Sequence, residues 1–125
     1  MAHIALAVKN QERSRRFYET YFEFDPATAR VAEDGVLLIE GPGEVTLALG
    51  ETDEAISLPT FLHFGFRSAV DANEVHVFRD RLAADGLEIT EFSDEPGYVS
   101  VKCKDPDGYV IEFAWERSSP ERPGP

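Results

Sequence analysis

The side chains best suited to chemistry in this chain are two histidines and a glutamate set far apart, His3, His63 and Glu112. Two neutral imidazoles and one carboxylate on one face of a divalent cation leave coordination positions open for substrate or water. Such a set suits iron, manganese, zinc or nickel. Parity tests whether the three could share a cavity, because successive side chains of a strand point to opposite faces. Around His3, the residues Ile4, Leu6 and Val8 make the bulky face, so His3, Ala5 and Ala7 take the other. Leu62, Phe64 and Phe66 are bulky in the next run, which leaves His63, Gly65 and Arg67 opposite. Ile111, Phe113 and Trp115 likewise oppose Val110, Glu112 and Ala114. All three candidates fall on the less bulky face, beside the small residues a concave site needs.

The same parity offers Tyr98, Ser100, Lys102 and Arg67 as substrate-binding candidates. Two cations near a metal favour an anionic, oxygen-rich small molecule. The competing reading makes Lys102 and Lys104 solvated charges at a sheet edge, where lysine discourages aggregation. Cys103 shares its parity with Val99 and Val101 and reads as a buried, inert thiol. His76, beside Val75 and Phe78 on a helical segment, reads as structural or exposed.

Strands must carry these residues, and the chain supplies them twice. His3-Ile4-Ala5-Leu6-Ala7-Val8 lies over His63-Phe64-Gly65-Phe66-Arg67, a weak internal repeat with a period of about 60 residues. A helix signal follows each run: Asn10 caps a segment holding Phe17, Tyr21 and Phe24, and Asp71, with Glu74 three residues on, precedes Val75, Phe78 and Leu82. Short β-rich runs come next, at 27–32, 36–40 and 45–49 and again at 88–92, 98–103 and 109–115. The order is β-α-β-β-β, twice, an α+β fold with modules at 1–50 and 61–116, a linker at 51–60 and a disordered tail at 117–125.

Composition bounds the rest. With 42% hydrophobic and 29% charged residues the chain is ordinary for a globular protein, and no apolar run reaches the ~20 residues needed to span a bilayer. The opening residues lack a signal-peptide pattern and the single cysteine excludes an internal disulfide, so a cytoplasmic location is expected. A net charge of -12 repels phosphate backbones and anionic lipid, which argues against nucleic acid and membrane partners.

The paired modules, the His-Ile-Ala-Leu-Ala-Val opening, the Phe17-Tyr18 helix with Tyr21-Phe22, and Asp-Pro-Asp-Gly-Tyr-Val-Ile-Glu-Phe at 105–113 resemble the vicinal oxygen chelate superfamily, the glyoxalase, bleomycin-resistance and extradiol-dioxygenase group. The resemblance covers roughly residues 1–116 and implies two tandem modules whose curved mixed sheets form a metal-binding cup. It makes Glu112 a metal ligand, since metal-dependent members use the Glu four residues beyond that Gly. It implies a divalent-metal enzyme acting on a small substrate that chelates the metal through two oxygens. The alternative within the group is a bleomycin-resistance-like protein that sequesters its ligand without catalysis. Glyoxalase I relatives add a Glu mirroring Glu112, where this chain has Thr46, Leu47 or Ala48, none of them a suitable ligand. Fosfomycin enzymes carry a Tyr at Lys102, a Lys near Phe92 and a Ser near Pro96, all missing here, and the acid and base of catechol dioxygenases cannot be placed. Relatives of this length also imply a homodimer with His3 of one chain completing the site of the other.

Overall fold

The computed structural model describes residues 2–118. Eight strands and two helices follow in the order β1 (Ala2–Val8), α1 (Gln11–Tyr21), β2 (Asp25–Val31), β3 (Leu37–Glu40), β4 (Val45–Glu51), β5 (His63–Phe64), α2 (Ala72–Ala84), β6 (Ile89–Glu95), β7 (Tyr98–Lys104) and β8 (Val110–Glu116). The expected repeat of β-α-β-β-β is present, and residues 119–125 of the expected tail lie outside the described residues.

Local chemistry explains the helix limits. The Asn10 side chain accepts from the Arg13 amide and starts α1, and Asp71 does the same for α2 through the Glu74 amide. Glu74 reaches back to the Val70 amide at 2.9 Å, one residue earlier than the reciprocal cap its spacing predicts. α2 ends where Gly86, at φ 76, lets Leu87 N–H donate to the Leu82 carbonyl and its own N–H donate to Ala83, a left-handed cap.

Each half forms its own four-stranded sheet, with orders β1-β4-β3-β2 and β5-β8-β7-β6, and among the described residues no strand pairs across the two. The strands carrying His3 and His63 are each an edge of their sheet, held on one side by a parallel partner, with β2 and β6 at the opposite edges. One face of each sheet is apolar and packs on a helix. Leu6, Val8, Leu47 and Leu49 are buried in the first half, and Val99, Val101, Ile111 and Phe113 in the second. β5 is far shorter than the run read from sequence. Gly65 explains this, since a Cβ there would lie 2.6 Å from the Glu112 carbonyl oxygen, and beyond that close approach the chain leaves the sheet.

The halves meet through α1. Phe66 stands edge-on to Tyr18, Phe22 and Phe24, and Phe22 meets Phe78 of α2. The Tyr18 hydroxyl donates to Asp105 Oδ2 at 2.6 Å, Tyr21 donates to Asp85 at 2.8 Å, and Tyr109 donates to the Ala7 carbonyl at 2.9 Å.

Candidate metal centre

On β1 the helix-side residues Leu6 and Val8 are buried and Ile4 half-buried, while His3, Ala5 and Ala7 are exposed on the other face. On β8, Ile111 and Phe113 are buried and Glu112 half-buried opposite them. Parity read from the sequence therefore holds at both strands.

Register places the ligand candidates relative to one another. His63 lies opposite Val110, and Glu112 is two residues further along β8, so the two side chains share the open face of the second sheet. They line one depression of about 430 Å³ together with Gly65, Arg67, Ser68 and Ala114. His63 Nδ1 donates to the Phe61 carbonyl at 2.8 Å, which fixes the hydrogen on Nδ1 and leaves the Nε2 lone pair free. Among the described residues Glu112 is contacted at Oε2, by the Tyr98 hydroxyl at 3.4 Å and Lys102 Nζ at 3.8 Å.

His3 is on the other sheet. Among the described residues, no three His, Cys, Asp or Glu side chains of one chain converge on a point that could hold a metal. The chain thus brings His63 and Glu112 together on one face and leaves His3 apart on the other sheet. The register also fixes the mirror of Glu112. His3 pairs with Thr46 as His63 pairs with Val110, so the counterpart of Glu112 is Ala48.

The remaining candidates divide. Lys102 is directly opposite Glu112 on β7, an interior strand of the sheet and not an edge, and its side chain is only 14% exposed. Its Nζ lies 3.5 Å from Glu91 and 5.9 Å from the centre of the Phe61 ring. Tyr98 shares the face through its bond to Glu112, and Ser100, on the same strand, is buried. Lys104 is half-buried and paired with Glu88. Arg67 borders the depression, yet its guanidinium donates to Glu23 at 2.9 Å and Glu74 at 2.7 Å and stacks on Phe113 at 4.8 Å. Hydrogen bonds to Glu74 and then Glu23 raise its pKa, so it is a permanent cation clamped between α1 and α2. Cys103 is buried, and burial followed by the nearby Asp105 pushes its thiol up to about 12. His76 pairs with Asp94 at 3.2 Å and stands against Phe92, away from the depression.

Sequence reasoning missed two things. The Asp-Pro-Asp-Gly turn reads as the flank of Glu112, but its carboxylates are joints to the first half. Asp105 Oδ1 accepts from the amides of Asp107 and Tyr109, and Asp107 accepts from the Lys9 amide, Ser14 and Arg13. The second omission is Phe61, whose carbonyl holds His63. A residue with no reactive group gives no signal for that role.

Two βαβββ halves, each carrying a histidine on an edge strand and one adding a glutamate on the same face, define a paired-module protein of the vicinal oxygen chelate type. Residues 1–113 match the model of the Glyoxalase/Bleomycin resistance protein/Dioxygenase superfamily, and the chain belongs to that family. Among solved structures, it is similar to a glyoxylase/bleomycin resistance protein/dioxygenase domain from Frankia sp. EAN1pec, with a TM-score of 0.75 and 22% identity over 94% of this chain and 97% of that one. A possible glyoxalase from Bacillus cereus gives 0.74 and 22%, over 90% and 96% of the two chains. A genomically encoded fosfomycin resistance protein from Listeria monocytogenes gives 0.75 and 21%, over 91% and 90%. At these identities the likeness is one of fold. No curated protein sequence matches the chain significantly.

Proposed function

We propose that this protein is a divalent-metal-dependent enzyme acting on a small anionic substrate that offers two oxygens to the metal. His63 and Glu112 of one protomer hold the ion, and His3 of the partner subunit completes the set. The observation that carries this reading is the common open face of His63 and Glu112, with Nε2 of one and the second carboxylate oxygen of the other uncontacted among the described residues. Three protein donors of this kind leave positions open, and the bound ion would supply Lewis acidity to the substrate's oxygens. The chain's own groups do the rest. Lys102 draws an anionic oxygen toward the face, Tyr98 orients Glu112 through Oε2, and Ser100 lies on the same strand. With Ala48 where a fourth ligand would stand, a glyoxalase-type proton transfer through a ligating carboxylate on that side has no group to perform it.

Metal content and circular dichroism of the parent and Glu112→Ala test the reading together. The variant is expected to keep its fold and lose tight metal binding, because the ligands lie outside the hydrophobic layers. Equal metal stoichiometry in the two proteins would overturn it. Metal-free parent protein that binds a cationic ligand tightly would place it with the sequestering members of the superfamily.

A further inference from the structure

Phe61 precedes β5 and is unusual twice over. Its φ of 78° lies in the left-handed region, which a bulky side chain rarely enters because Cβ crowds the carbonyl, and its side chain is 84% exposed. Of the other described non-glycine residues with positive φ, Glu23 and Glu44 are both polar, and Glu23 sits just past the end of α1, where a left-handed residue commonly closes a helix. Phe61 closes no helix but stands third in a turn that the Leu62 amide closes on the Pro59 carbonyl at 3.3 Å, a place where positive φ is usually met by Gly or Asn and not by a bulky ring. Its backbone does make one specific contact, the 2.8 Å bond from His63 Nδ1 to its carbonyl, and its ring stands edge-on to the imidazole with centres 5.0 Å apart at 88°. Strained residues persist where their surroundings over-determine them, and they cluster at functional sites.

We infer that Phe61 is a positioning residue for the metal ligand His63. The left-handed backbone turns the carbonyl onto Nδ1, which keeps the Nε2 lone pair available. The inference rests on the metal-centre reading above. A carbonyl only accepts, so the alternative tautomer, with hydrogen on Nε2, would lose this bond and offer no donor atom to the ion at that position. Hydrogen-bond partners of ligating histidines are worth about 10–100-fold in metal affinity.

Conformation and ring separate cleanly by substitution. Phe61→Gly and Phe61→Asn enter the left-handed region readily, whereas Phe61→Val and Phe61→Pro do not. Zinc affinity by chelator competition is expected to stay within about threefold of the parent for Gly and Asn and to fall about 10–100-fold for Val and Pro. Nitrogen-15 spectra of the metal-free parent are expected to show His63 with hydrogen on Nδ1, and Val and Pro to lose that preference while circular dichroism stays unchanged. Zinc binding by the parent with all four variants equal to it, or hydrogen on Nε2 in the metal-free parent, overturns this inference alone. A parent that binds no zinc overturns the metal-centre reading and this one with it.

Discussion

Gly65 is where a single missing Cβ sets the spacing of two ligands. With a methyl group 2.6 Å from the Glu112 carbonyl oxygen, β5 would have to move away from β8. Gly65→Ala is expected to cost about 1–3 kcal/mol of stability by overpacking and to weaken metal binding by parting His63 from Glu112. Urea unfolding and chelator competition measure the two effects, and an unchanged midpoint would show that the strands yield freely. Lys102→Ala is expected to weaken small carboxylates about tenfold while leaving neutral ligands untouched, as loss of one partly desolvated charge contact does. Calorimetry with a panel of both kinds decides it, and equal effects on both would assign Lys102 to packing. Cys103 supplies a pH prediction. In the unfolded chain its thiol ionises near the ordinary 9.0, and in the folded protein near about 12, so the unfolded state loses its proton first. Stability contributed by the buried thiol is complete below about pH 9 and falls as pH rises toward 12. Cys103→Ala should flatten that part of the stability profile, and the native thiol should resist disulfide reagents at pH 8 until denaturant is added.

At the scale of elements, α1 works as a joint, and its buried polar link is Tyr18 with Asp105. Burial pushes the Asp105 carboxyl above its usual range while the bonds from Tyr18, Asp107 and Tyr109 pull it back. Asp105→Ala strands a fully buried hydroxyl and two turn amides, and is expected to cost about 3 kcal/mol in chemical denaturation. Tyr18→Phe added to it should cost little more, since the shared bond is already gone. A fully additive double variant would show that the pair does not act as one. None of this joint was evident in the sequence, although both halves were. Period-two alternation located all eight strands, and the Asn10 and Asp71 caps located the helices, because those signals are local. β5 was overextended because the close approach at Gly65 depends on β8, which lies far along the chain. Parity sets His63 and Glu112 on one face because alternation is local, and Arg67 lines the same depression with its guanidinium turned elsewhere. Arg67 lies past the end of β5, and its direction follows Glu23 and Glu74 instead of strand alternation.

The whole molecule carries His3 on one sheet and His63 with Glu112 on another, and the two sheets share no strand pairing among the described residues. On the shared-site reading, His3→Ala and Glu112→Ala chains are each unable to bind metal tightly. A dimer of one of each has one site with both lesions and one intact. Refolding an equal mixture should therefore restore metal to about half the sites of the mixed dimer, and no recovery in a verified mixed dimer would reject sharing. The joint at α1 matters here in another way. A body with two complementary docking faces is a bifunctional monomer in the polymer chemist's sense, and the angle between its faces decides whether two copies close a ring or growth continues end to end. On the shared-site reading that angle would follow from how the two halves of one chain are joined, by the bond from Tyr18 to Asp105 and the ion pairs of Arg67. Loosening both should convert a finite particle into a concentration-dependent chain, seen as rising light scattering and viscosity with the secondary structure unchanged.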